Sequence, residues 1–244
     1  MIDPKELAES GILLVDKQVD WTSHDVVNFV RRRFRIRKVG HCGTLDPTAT
    51  GLLVLVLGRA TKISSRLINQ NKTYAGTMRL GIETFTQDRA GEVTGTGSIE
   101  GITPENVRRV AAEFEGELMQ IPPMVSAIKK GGKPLYKLAR KGKIVEREAR
   151  PITVHSLTVG KIALPDIDFQ IRCSKGTYVR TICADIGKQL GCGAHLLELR
   201  RLASGQFDVA NAHTTDEIKS WDRDTLLGKI VPLGDVLVGL MDQK

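Results

Sequence analysis

Between Gly40 and Gly51 the chain reads Gly-His-Cys-Gly-Thr-Leu-Asp-Pro-Thr-Ala-Thr-Gly, which sets one carboxylate, Asp46, among three glycines, a proline and His41. Glycine frees the backbone and Pro47 keeps Asp46 out of the helical region, so such a loop can aim a single carboxylate in a fixed direction. A plainer role fits the same residues, with Asp46 capping the turn before Pro47. The flanking acids, Asp25 and Glu83, are distant in sequence, so a paired-carboxylate glycosidase or a two-metal nuclease lacks local support. Scattered histidines (His24, His41, His155, His195, His213) and cysteines without a Cys-x-x-Cys pair (Cys42, Cys173, Cys183, Cys192) show no ligand spacing, so no metal is expected.

Basic residues are the second chemical signal. The chain carries 36 Lys and Arg against 28 Asp and Glu, a net charge of +8. Arg31 to His41 holds Arg31, Arg32, Arg33, Arg35, Arg37 and Lys38 without an acid, and Ser126 to Arg150 holds nine bases against Glu146 and Glu148. Two such blocks exceed the net charge, so the remainder of the chain is net acidic. That pattern suits a polyanionic partner, nucleic acid first, with a solvated charged face as the plain alternative.

The elements that must position these residues follow from periodicity. A buried strand is expected over Gly11–Val15, then a helix capped at Thr22-Ser23 with Val26, Val27, Val30 and Phe34 on one face. Lys38–Cys42 suits a short strand, and Leu52–Leu57, closed by Gly51 and Gly58, a central one. Tyr74–Leu80 and Ile167–Cys173 alternate as half-buried strands. Helices are expected from Thr103-Pro104-Glu105 to Gly116, over Thr177–Leu190, and in a short final region over His213–Ser220. Helices and strands interleave, yet strands also follow one another between Pro151 and Ser174, which predicts an α/β chain of α+β type with a mixed sheet. At 244 residues and 41% hydrophobic the chain suits one large globular body over residues 11 to about 210 with an edge after it. Leu52–Leu57 is the longest apolar run and the first residues lack a leader's apolar stretch, so a cytoplasmic protein without a membrane partner is expected.

Several blocks then carry a resemblance. Lys17, Trp21-Thr22-Ser23-His24-Asp25-Val26-Val27, Lys38-Val39-Gly40-His41 and Gly43-Thr44-Leu45-Asp46-Pro47-x-Ala49-x-Gly51 are similar to the signature of the bacterial TruB family, tRNA pseudouridine-55 synthases. The similarity continues through Gly58-Arg59-Ala60-Thr61-Lys62, Lys72-Thr73-Tyr74, Pro122-Pro123-Met124-x-Ser126-Ala127-x-Lys129, Lys175-Gly176-Thr177-Tyr178-x-Arg180-Thr181 and Leu199-Arg200-Arg201-Leu202. Together they run in family order over roughly residues 11 to 205.

The resemblance implies the pseudouridine synthase fold, with a largely antiparallel central sheet flanked by helices. It further implies a catalytic domain over 1–210, a basic inserted RNA-binding element over 126–150, and a helical edge over 211–244 in place of the family's PUA-type C-terminal domain. The implied reaction is isomerisation of the uridine at position 55 in the T arm of tRNA, with no cofactor, by a monomer. Asp46 matches the catalytic aspartate, acting as nucleophile, and Arg180 the arginine that pairs with it. Tyr74 matches the tyrosine that stacks on the target base and can serve as a late base. Tyr178 and Leu199 match the uracil-pocket wall, and His41 the residue that fills the space of the flipped base. Lys17 and Lys62 match lysines near the pocket, as phosphate or structural contacts. Phosphate contacts are expected from Arg31, Arg32, Arg33, Lys38, Lys129, Lys133, Arg140 and Lys141. Val125 stands where an aromatic is usual, and Gln18-Val19-Asp20 replaces Pro-x-Gly. Guide-RNA-dependent pseudouridine synthesis and a tRNA-folding chaperone with vestigial catalysis are the alternatives.

Overall fold

The computed structural model of the chain describes residues 9–139 and 141–241. In chain order the elements that matter for the site are β1 (Gly11–Lys17), α1 (Ser23–Phe34), β2 (Val39–His41), β3 (Thr50–Leu57), β4 (Lys72–Leu80), α2 (Pro104–Ala112), β5 (Gly116–Gln120), β6 (Arg150–Ala163), β7 (Asp166–Cys173), α3 (Val179–Gln189) and β8 (Ala194–Ser204). Contacts gather them into two compact units, one from Met1–Tyr74 with Arg200–Lys244, the other from Ala75–Leu199.

In the first unit β1 pairs antiparallel with β3 along its whole length, Gly11 facing Leu57 and Lys17 facing Gly51. β2 adds antiparallel to β3, while the end of β8 joins β3 in parallel through Arg200 and Arg201. Leu52 to Leu57 are all buried, as a strand covered on both faces requires, which is why the run is continuous rather than alternating. α1 begins where Thr22 accepts from the Asp25 amide and Asp25 returns the bond to Thr22, and it ends at Arg35 in the left-handed conformation at φ 54°. Val26, Val27, Val30 and Phe34 are buried, as their spacing predicts. The C-terminal residues belong to this unit: His213–Thr214 pairs parallel with β1, Val231–Pro232 antiparallel, and Val236 is buried in a core with Ile12, Leu52, Val54 and Phe207. The final helical region is longer than expected, comprising Thr215–Ser220, Arg223–Lys229 and Leu233–Met241.

In the second unit β7, β6 and β5 pair antiparallel in that order. α2 is capped by Thr103 and Asn106, with Pro104 in its first turn. α3 starts at Val179 rather than Thr177, because the Tyr178 backbone is held outside the helix by the Gln120 side chain, which accepts from the Tyr178 amide at 2.8 Å and donates to its carbonyl at 3.1 Å. The sheet is therefore mixed and mostly antiparallel, as expected. No helix among the described residues is long and apolar enough to cross a membrane.

Candidate active site

Asp46 sits half-buried in the loop from β2 to β3, and two buried cations, Lys17 and Arg201, fix the backbone around it. Lys17, at the end of β1 and 0% exposed, donates to the carbonyls of Trp21 at 2.7 Å, Gln18 at 2.9 Å and Pro47 at 3.4 Å. Pro47 also accepts from the Asp20 amide at 2.9 Å, so the loop is tied to the β1–α1 turn beside its carboxylate. Arg201, 1% exposed on β8, donates to the carbonyls of Leu52 at 2.6 Å and Gly43 at 3.1 Å. Lys72, at the start of β4, donates to the carbonyls of Ile68 and Gln70, both at 2.6 Å. Two glycines are required here: at Gly51 (φ 94°) a Cβ would come 2.3 Å from the Arg201 carbonyl oxygen, and Gly43 has φ 110°. On the other side the Ser23 hydroxyl accepts from the Leu45 amide at 2.8 Å and donates to the Leu45 carbonyl at 3.1 Å.

Burial lowers the Lys17 ammonium from its usual 10.5 to about 8, although the negative charge of Asp46, and after it Asp20 and Asp25, works the other way. The His41 imidazole is lowered by burial, with Arg201 and His24 adding to the effect, so it is neutral at pH 7. Burial pushes the Cys42 thiol up to about 12, which removes it as a nucleophile. Tyr74, 9% exposed, lies on β4, and Lys62 is exposed on the short turn Gly58–Ile63.

The second unit holds the arginine. Arg180, in the first turn of α3 and 3% exposed, donates to the carbonyls of Val125 at 2.5 Å and Thr86 at 3.2 Å, and lies 3.7 Å from the Asp88 carboxylate. Its guanidinium carbon is 5.6 Å from the centre of the Tyr178 ring. Asp88, 6% exposed, accepts from the Thr86 hydroxyl at 2.6 Å and the Ala90 amide at 3.0 Å. Thr181 donates to the Gln87 side chain at 2.7 Å. Leu199 lies half-buried on β8. Asp88 and Gln120 escaped the sequence reading. The run Thr84-x-Thr86-x-Asp88-x-x-Gly91 was the signal for the first, a short polar cluster with a carboxylate.

One expectation is corrected. Lys17 does not face solvent or phosphate: its ammonium is buried on three carbonyls, so of its two expected roles the structural one is observed. Arg33 is exposed and donates to the carbonyls of Trp221 at 2.6 Å and Lys219 at 3.3 Å, which tie it to the C-terminal helices. Arg31 is half-buried and donates to the Val39 carbonyl at 3.0 Å. Arg32, Lys38, Lys129, Lys133 and Lys141 are exposed, and Arg140 lies outside the described residues. Within the basic segment Lys129–Lys130 and Lys133–Pro134 form a hairpin turned at Gly131 and Gly132, both at positive φ, followed by a helix over Leu135–Ala139. Among the described residues no three His, Cys, Asp or Glu side chains stand close enough together to hold a metal ion.

Comparison with known proteins identifies the family. The family model described as "TruB family pseudouridylate synthase (N terminal domain)" matches residues 31–179, and "tRNA pseudouridylate synthase B C-terminal domain" matches residues 180–238. The chain is 48% identical to the "tRNA pseudouridine synthase B" of Opitutus terrae, covering 96% of both chains. It is also 48% identical to the protein of that name from Geobacter sulfurreducens, over 95% of this chain and 74% of the other. Among solved structures it is similar to the "Crystal Structure of a Cbf5-Nop10-Gar1 Complex", with a TM-score of 0.73 and 28% identity over 95% of this chain and 62% of that one. With one family model covering more than half of its length and near-full-length relatives at this identity, the chain belongs to the TruB family of pseudouridylate synthases.

Proposed function

We propose that the protein is a tRNA pseudouridine synthase that converts the uridine at position 55 in the T arm to pseudouridine. The observation that carries this reading is the aspartate loop itself: one carboxylate, half-buried, on a backbone clamped by Lys17 and Arg201. Breaking the bond between base and ribose leaves positive character on the anomeric carbon, which an ionised Asp46 attacks or stabilises. The freed uracil turns and is rejoined through carbon 5. Atoms and oxidation state are conserved, so orientation, charge and exclusion of water are what the protein supplies. Arg180 supplies a buried guanidinium, and such a fork of donors favours the ionised form of a carboxylate.

Tyr74 stacks on the base and assists the late removal of the proton from carbon 5, Tyr178 and Leu199 wall the pocket, and His41 fills the space the base vacates. The target is stacked in the folded T arm, so it must flip out, and the exposed Lys62, Arg32, Lys38, Lys129, Lys133 and Lys141 take phosphates. A cytoplasmic monomer suits that substrate. Tritium release from T-arm RNA carrying uracil labelled at carbon 5 tests the reading: release without any guide RNA is expected. Release only with a guide RNA would favour the guide-dependent reading.

A further inference from the structure

Among the described phenylalanines, tyrosines and tryptophans only Phe85 is exposed, at 43%. A single exposed aromatic on a loose loop is ordinary, but this loop is not loose. The Phe85 amide donates to the Glu92 carbonyl at 2.9 Å, and the Gln87 amide closes a turn onto the Thr84 carbonyl at 3.0 Å, with Gln87 at φ 63°. The Thr84 and Thr86 hydroxyls both bond Asp88, and a Cβ on Gly91 would lie 2.3 Å from the Thr86 hydroxyl oxygen. The turn is also stitched to β8, the Leu196 amide donating to the Gln87 carbonyl and the Arg89 amide to the Leu196 carbonyl, each at 3.0 Å. Its next residue, Thr86, accepts from Arg180 at 3.2 Å. Phe85 is thus a partly exposed ring on a turn whose backbone is fixed by hydrogen bonds, one residue from the anchor of the buried arginine.

We propose that Phe85 is a stacking platform for an unpaired nucleobase of the RNA substrate. Single-stranded loops with splayed bases are bound by stacking on aromatic faces, and a pre-positioned ring adds affinity without an ordering cost. The proposal rests on the reading of the chain as an enzyme of T-arm RNA.

The test uses the full chain and a T-arm stem-loop RNA. Phe85→Ala raises Kd and KM about tenfold while the single-turnover rate at saturating enzyme stays within about twofold of wild type. Phe85→Leu, which keeps apolar bulk without an aromatic face, behaves as Phe85→Ala. Phe85→Trp keeps wild-type affinity, and its added indole is quenched when RNA binds. An unchanged Kd for Phe85→Ala, full rescue by Phe85→Leu, or unquenched emission from Phe85→Trp overturns the stacking role. Wild-type protein that makes no pseudouridine in this RNA overturns the proposed function instead, and a wild-type enzyme that makes it beside an unaffected Phe85→Ala variant overturns the stacking role alone.

Discussion

Replacing Lys17 by methionine removes the ammonium from beneath the aspartate loop while keeping an unbranched chain of similar length. In the folded protein that ammonium titrates near 8 instead of 10.5. Between those values the unfolded chain binds more protons than the folded one, so the Lys17 contribution to stability rises with pH across this window. Below pH 8 the buried charge costs the full difference, about 3 kcal/mol, and the cost is gone above pH 10.5. Methionine also takes the donor from the carbonyls of Gln18 and Trp21, whereas Pro47 keeps the Asp20 amide. Each buried carbonyl left without a partner costs about 1 to 3 kcal/mol, which offsets the relief of the charge. The absolute effect at pH 7 is therefore a small difference of two large ones, and the pH slope is diagnostic. Urea unfolding of both proteins at steps from pH 7 to pH 10 should show wild type gaining about 2 to 3 kcal/mol on the variant. Other titrations, such as the Cys42 thiol at about 12, are common to both proteins and cancel. A difference that stays flat or shrinks would refute the burial account. The variant's kcat should fall as well, since Asp46 loses one of its fixed supports.

Asp46→Asn should lower single-turnover pseudouridine formation by at least about a thousandfold with RNA binding retained, because an amide keeps the shape without the charge; a rate near wild type would remove Asp46 from the chemistry. Arg180→Lys should lose roughly a hundredfold in kcat despite its kept charge, since one ammonium cannot reach the carbonyls of Val125 and Thr86 and the Asp88 carboxylate together; near-normal turnover would show that the fork is not needed. Changing Lys129, Lys133 and Lys141 together to alanine should lower the slope of log affinity against log salt by about 2, with little effect on the rate of bound RNA; filter binding at several salt concentrations would expose an unchanged slope.

Periodicity made most of the frame legible, because burial dictates it. The stripe of α1, the continuous run of β3 and the alternation of β7 each follow from one or two covered faces, and the Thr22, Thr103 and Thr214 caps were visible as short polar motifs. β8 was not legible, since Glu198, Arg200 and Arg201 interrupt its apolar residues. The start of α3 was shifted because a glutamine from another strand holds Tyr178, a tertiary contact that no local pattern announces. At the candidate site the loop and its carboxylate stood out through glycine and proline spacing. Asp88 did not, because its link to Arg180 joins a turn to a helix far along the chain.

Charge was the feature most open to misreading. Lys17, Lys72, Arg180 and Arg201 are all buried, and each donates to main-chain carbonyls rather than to solvent. A buried cation is costly unless its donors are satisfied, and here the acceptors are main-chain carbonyls, most of them in loops and at a helix end. These bases therefore work as cross-braces, and they count toward the net charge of +8 without adding to an RNA footprint. Lys62, Arg32, Arg33, Arg35, Arg37, Lys38 and the exposed lysines after Ser126 are among the exposed bases that remain for phosphate. Salt dependence of RNA binding should track that exposed set, so a charge-removing change at Lys72 should alter stability, whereas one at Lys38 should alter the salt slope.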